Sequence, residues 1–367
     1  MSAGGSDTPS RDGVGDGPVD GPDDGLDDGP GHGPGQWLDQ NLDHPLPSVD
    51  LEAPDGHRFA LLRRTPVRPR AHLLWLPALG VAARHYLPFA EALAARGVDV
   101  CLHEWRGHGS SSVRAGRTAD WGYRTLLEQD LPVSLAAALG ERRIAGTDTV
   151  DGGRGAERGG RAPTIVGGHS LGGQLAALAL ALNPAAADRL WLAASGAPYW
   201  RTFPGPRGWM LPWAYRFLWW LAEARGALPG RAVGFGGREA RGVMRDWART
   251  GLSGRYAAAG MAIDLEAALS GVRTPVEALR LADDWLVPDG SLRYLLGKMR
   301  PASERIAVID ADTLGARADH FAWMRHPDAV AEAFVHAAGI TDITGITRSA
   351  HARAEAGIVR PATAQSP

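Results

Sequence analysis

The chain has 367 residues, 44% of them hydrophobic, with 39 basic and 41 acidic side chains. It can bury a substantial core, and its length suits one large α/β domain with an insertion. A single cysteine, Cys101, excludes an internal disulfide, and the lack of any run of about eighteen uninterrupted apolar residues argues against a spanning helix.

The near balance of charge is uneven along the chain. Residues 1–35 hold eight Asp against one Arg, a net of −7, which leaves +5 elsewhere from a whole-chain −2. This Gly/Asp/Pro-rich stretch has almost nothing to bury and is expected to be a disordered acidic tail whose aspartates lack EF-hand spacing. It shows neither a basic n-region nor an apolar h-region, so no signal peptide is expected and the expected location is cytoplasmic.

Alternation over residues 49–65 predicts a leading strand pair, and residues 71–77 (A-H-L-L-W-L-P) predict a buried strand. A loop of Ala78, Leu79, Gly80 and Val81 follows, then an amphipathic helix over 86–95. Residues 98–104 form the next buried strand, with Cys101 buried inside it, and lead into the turn-rich Arg106-Gly107-His108-Gly109-Ser110. Residues 126–139 are helical by pattern, whereas 142–161, rich in Gly, Arg and Asp, read as a flexible surface insertion.

Residues 163–178 carry the strongest signal. A short β-branched run (Thr164, Ile165, Val166) meets Gly167, Gly168, His169, Ser170, Leu171 and Gly172, and an Ala/Leu-rich helical pattern starts at once. That is a strand, a sharp turn and a helix with a serine at the apex. Such a turn strains the serine backbone, and the residues two before and two after it must lack side chains, which Gly168 and Gly172 do. The helix start aims unpaired N–H groups at the serine's surroundings, which suits an oxyanion.

Strands are expected again at 190–194, 276–281 and 306–309, with a last helix at 329–338, so the sheet is mostly parallel and covered on both faces. Between 197 and 261 the rhythm is lost; this piece has six of the thirteen Trp and ten Arg against three acids, a net of +7. Its place after a strand predicts a cap over the site. The division expected is a first core part at 48–196, a Trp/Arg-rich helical cap at 197–262, a second core part at 263–340 and a loose tail at 341–367.

A serine hydroxyl is a poor nucleophile at neutral pH; it needs a histidine to take its proton and an acid to hold that histidine's tautomer. In this sheet architecture the chain order is Ser, acid, His. Asp283 and Asp284 stand at the carboxyl end of a predicted strand, and His320 lies in a loop before the final helix. Asp284, four residues before Pro288, is preferred over Asp283, which becomes a turn or capping residue. His320 is preferred over His326, because His326-Pro327 reads as the entry to the final helix. His108 and His169 are read as structural hydrogen-bonding residues. The two oxyanion donors are assigned by position to the amides of Leu171 and Leu79.

Together G-H-S-L-G-G around Ser170, E-W-R-G-H-G-S at 104–110, D-D-W-L-V-P around Asp284 and D-H-F at His320 resemble the α/β-hydrolase superfamily. The similarity is to its monoacylglycerol-lipase-like and serine-aminopeptidase-like members, over about 51–338. Within it, R-E-A-R-G-V-M-R-D-W at 238–247 and A-D-H-F-A-W-M-R at 318–325 look like a bacterial group of predicted α/β hydrolases. Many relatives carry His-Gly at the oxyanion loop, where this chain has Pro77-Ala78. The resemblance implies an α/β-hydrolase fold and a hydrolytic apparatus, not a substrate.

The expected activity is hydrolysis of a carboxylic ester with an apolar acyl or aryl group, lipid-like substrates included, through an acyl intermediate on Ser170. An acyltransferase using the same triad and a noncatalytic binding module are the alternatives. No cofactor is expected. No zinc spacing, P-loop, complete dinucleotide fingerprint or nucleic-acid motif is present. Residues 209–222, rich in Trp, are expected to bury against the core; their other reading is contact with a membrane surface.

Overall fold

Short runs of leucine and β-branched side chains, bounded by turn residues, are suited to strands buried on both faces. A computed structural model describes Met1 and residues 47–140 and 161–340. The expected acidic tail, nearly all of the 142–161 insertion and the tail from 341 lie outside these residues.

Eight strands form the main sheet: β1 (Ser48–Glu52), β2 (Arg58–Arg64), β3 (Ala71–Leu76), β4 (Val98–Leu102), β5 (Thr164–His169), β6 (Arg189–Ala193), β9 (Val276–Leu281) and β10 (Glu304–Ile309). Two short ones, β7 (Leu228–Pro229) and β8 (Arg238–Glu239), pair separately. The order is β1-β2-β4-β3-β5-β6-β9-β10. Only β2 runs against its neighbours, so the last six strands are mutually parallel. This is the mostly parallel sheet with helices on both faces of the α/β-hydrolase fold, and it puts the carboxyl ends of β3, β5, β6 and β9 along one edge.

β4 and β5 are buried along their whole length, Cys101 included. One face of the sheet carries an aromatic cluster. Trp75 lies 4.9 Å from Phe89 between ring centroids and 6.4 Å from Trp323, and Phe334 stacks on Trp191 at 4.7 Å. The rings come from β3, β6, the helix Leu87–Ala94, the helix Asp328–Ala337 and the turn before it, so this cluster ties both ends of the domain to the sheet centre. The opposite face packs the helix Leu171–Leu182 and the helical run Tyr123–Gly140, which widens at Leu126–Asp130 and Ala136–Gly140.

Between β6 and β9 stand the helix Gly205–Arg225, the β7–β8 ribbon and the helix Arg241–Ser253. Proline near its first turn and left-handed Gly226 at its end (φ 84°) delimit the long helix. Its inner stripe, with Tyr215, Leu218 and Ala222 buried, meets the second helix, where Trp247 lies 4.8 Å from Tyr215. The expected burial of 209–222 holds for that stripe only. Trp209, Trp213 and Trp220 are 77%, 74% and 62% exposed, because they project from the side of the helix away from its packing partner. No helix among the described residues is long and apolar enough to cross a membrane.

Replacing Phe334 by Ala removes a fully buried ring from the cluster that joins first and last elements. Urea unfolding of Phe334→Ala is expected to show a loss of about 3–5 kcal/mol.

Candidate active site

Ser170 ends β5 and opens the helix Leu171–Leu182 with φ 54° and ψ −119°, a left-handed region that costs a non-glycine residue roughly 1–3 kcal/mol. The turn is held from outside. The Ser170 amide donates to the Ala193 carbonyl at 3.1 Å, and its own carbonyl accepts from Ser195 Oγ at 2.7 Å. The flanking glycines are steric necessities: a Cβ on Gly168 would lie 2.4 Å from the Gly172 carbonyl carbon, and one on Gly172 would lie 2.1 Å from the Leu76 oxygen.

Asp284 and His320 arrive from the turns after β9 and β10. His320 Nδ1 donates to Asp284 Oδ2 at 2.7 Å, both residues being buried. The other carboxylate oxygen accepts from the amides of Leu286 (2.8 Å) and Val287 (3.2 Å), which fixes the plane of the group. Asp283 is exposed and accepts instead from the Ala318 amide at 3.1 Å, a turn-closing role. His326 is exposed at the start of the last helix.

The His320 ring packs 4.7 Å from that of His169, the residue before Ser170, so histidine loop and elbow are in contact. The Ser170 hydroxyl makes no hydrogen bond among the described residues, to His320 included. Catalytic hydrogen bonds often tighten only when substrate binds.

His169 is fully buried, and burial first, with the His320 ring second, pushes its pKa well below the ordinary value. It is therefore neutral and adds no repulsion to a proton gained by His320. Tyr86 Oη lies 2.8 Å from His169 Nδ1 and accepts from the Ala78 amide at 2.9 Å. The tyrosine oxygen therefore bridges the Ala78 amide and the His169 ring. One tyrosine thus joins the loop of Ala78 and Leu79 to the residue beside Ser170. Trp105 Nε1 donates to the Pro77 carbonyl at 2.8 Å from the other side of the loop.

The amides of Leu79 and Leu171 donate to no acceptor among the described residues, and both side chains line one small cavity of about 20 Å³. Its walls also hold His108 and Glu239, paired at 3.5 Å. Burial lowers the His108 pKa, but the charges of Glu239 and Glu104 outweigh it and leave it raised. Glu239 also accepts from the Gly237 amide. The turn leading into β8 sits directly on the loop of Ala78 to Val81: a Cβ on Gly80 would lie 2.2 Å from the Gly237 nitrogen.

A second array of Ser, His and Asp side chains occurs under the turn that follows β4. Ser111 Oγ lies 2.9 Å from His57 Nε2, and His57 Nδ1 lies 3.0 Å from Asp130 Oδ1, all three buried. Its chemistry differs. The Ser111 hydroxyl already accepts from the Gly107 amide at 2.9 Å and contacts the Val113 carbonyl at 3.1 Å. Asp130 is also bound by Arg106, which bridges to Asp55. This array is a saturated structural network under the Arg106–Ser111 turn, and it explains why that turn carries Arg106 and Ser111. The motif was visible in the sequence, but lone His57 was not recognisable as its partner.

Burial raises the Asp130 pKa, but hydrogen bonds from His57 and Arg106 more than reverse this and leave it lowered. A depressed folded value means stability present above the unfolded pKa of about 3.9 and lost as pH falls through the lower folded value. Asp130→Asn is expected to cost about 3–5 kcal/mol at pH 7. It should also flatten the pH dependence of unfolding below about pH 4, read by urea melts across that range. Tyr86→Phe strands the Ala78 amide, and chemical denaturation should show a loss of about 1–3 kcal/mol.

A family model described as the alpha/beta hydrolase family matches residues 73–333. Among solved structures, the chain is similar to a hydrolase from Pseudomonas aeruginosa at 20% identity and TM-score 0.50, over 80% of this chain and 98% of that one. It is also similar to the Paleococcus ferrophilus monoacylglycerol lipase at 16% identity and TM-score 0.50, over 77% and 99% of the two chains. No curated protein matches it. The family match spans well over half of the chain and includes Ser170, Asp284 and His320, and on that ground the chain belongs to the alpha/beta hydrolase family.

Proposed function

We propose that this hydrolase cleaves carboxylic esters with an apolar acyl or aryl group, through an acyl intermediate on Ser170. The observation that carries the reading is the 2.7 Å hydrogen bond from His320 Nδ1 to Asp284, with the ring against His169 beside the strained serine. With Nδ1–H held by Asp284, the free Nε2 is the tautomer able to accept a proton.

In this mechanism the Ser170 side chain turns toward His320, and Oγ attacks the ester carbonyl carbon as Nε2 takes the hydroxyl proton. The carbonyl oxygen becomes an oxyanion, stabilised by the amides of Leu171 and Leu79. His320 then returns the proton to the leaving alkoxide, which departs as the alcohol. A water, deprotonated by His320, attacks the acyl-enzyme, the acyl–Oγ bond breaks, and His320 gives that proton to Ser170 Oγ as the acid departs. Asp284 steadies the imidazolium at each step. The segment between β6 and β9 serves as the cap, its ribbon closing over the loop of Ala78 and Leu79.

Ser170→Ala is expected to lower turnover of p-nitrophenyl esters by about 10⁴-fold or more and to abolish fluorophosphonate labelling, with the fold intact by circular dichroism. Labelling that persists in this variant would sink the nucleophile assignment. His320→Ala and Asp284→Asn should lose activity strongly, whereas His326→Ala, Asp283→Asn and Ser111→Ala should keep their labelling. A chain-length series of p-nitrophenyl esters then measures the acyl pocket, and product analysis with added alcohols separates hydrolysis from acyl transfer.

A further inference from the structure

The helix Gly205–Arg225 has two opposed faces. At about 100° per residue, Trp209, Met210, Trp213, Phe217 and Trp220 fall within an arc of about 100°, opposite the stripe of Tyr215, Leu218 and Ala222. All five are more than half exposed: 77%, 69%, 74%, 51% and 62%. Together they present on the order of 700 Å² of apolar surface along about 16 Å of helix, above the usual largest patch of a monomer.

The charges around this face have one dominant sign. Arg216 and Glu223 border the arc on one side, Arg207 and Arg225 lie about 60° beyond its other edge, and Arg201 stacks on Trp200 beside the helix at 4.9 Å, so the exposed charge of the helix is net positive. The segment's other two acids, Glu239 and Asp246, are buried, so they do not offset the arginines at the surface. Three indoles, each with an apolar body and an N–H tip, flanked by arginines, match the boundary between anionic headgroups and acyl chains. A second copy of this chain would set arginine against arginine across the face.

We propose that this face docks the protein onto an anionic lipid surface. The helix lies in the plane of the headgroups with Trp209, Trp213, Phe217 and Trp220 inserted and the arginines paired with phosphates. The face reaches the candidate site through one contact: Arg207 stacks at 5.3 Å on Trp285, which is 49% exposed and directly follows Asp284. Docking therefore brings the Asp284 loop close to the lipid surface, where a lipid ester would enter. That last consequence rests on the ester-hydrolase reading, whereas docking itself does not.

The test is cosedimentation of the full chain with phosphatidylcholine vesicles and with vesicles mixing phosphatidylcholine and phosphatidylglycerol. Partition onto the anionic vesicles should be at least about tenfold stronger, and added salt should weaken it. The double variant Trp209→Ser/Trp213→Ser should bind them at least about tenfold more weakly, with an unchanged melting temperature and unchanged cleavage of a soluble p-nitrophenyl ester. Ser170→Ala should bind vesicles as the parent does, which separates docking from catalysis. The proposal is overturned if the parent and the double variant partition equally, or if the parent binds neither vesicle. It is equally overturned if sedimentation shows a dimer that the tryptophan substitutions dissolve, since the face would then be a self-association surface.

Discussion

The structure turns on how closely β5 and the helix after it approach each other. Ser170 can hold its left-handed backbone only because Gly168 and Gly172 let strand, helix and the end of β3 come within distances no Cβ would tolerate. A strained residue persists when its surroundings over-determine it. Here the constraints are the amide bond to Ala193, the hydroxyl of Ser195 on its carbonyl and the sheet beneath. The same closeness brings Leu171 and the loop after β3 to one small cavity, which both Leu79 and Leu171 line.

Around that turn, polar groups are arranged by burial as much as by distance. His169 is kept neutral by burial, and Tyr86 spends both of its hydrogen-bonding capacities in joining it to Ala78. Asp284 uses one oxygen for His320 and the other for two backbone amides, so its orientation does not depend on the imidazole alone. Buried polar networks of this kind are costly when incomplete and rigid when complete. Rigidity is what a site needs if its donors are to be in place before charge develops.

Much of this was legible in the sequence, for identifiable reasons. The inner parallel strands announce themselves because strands buried on both faces are apolar runs, β10 at the sheet edge through its short 306–309 run, and the elbow because glycine is obligatory on both sides of Ser170. Asp284 was preferred over Asp283 for its place four residues before Pro288, and Asp284 is the one that meets His320. Other features left no local trace. The Tyr86–His169 link spans 83 positions and the His57–Asp130 link 73, and neither has a spacing rule. The outward face of the Gly205–Arg225 helix was misjudged because tryptophan is so often buried that composition alone points inward, while only the helix phase shows which indoles face out.

The two Ser–His–Asp arrays in one molecule bear on how such sites are recognised. A template matching three side chains by distance alone would select Ser111, His57 and Asp130, whose separations fit better than those at the elbow. What distinguishes the arrays is spare valence: the Ser111 oxygen has its lone pairs and proton committed to neighbours, whereas the oxygen of Ser170 is uncommitted. Counting unmet bonding capacity around a hydroxyl separates a saturated array from an unsaturated one where interatomic distance does not.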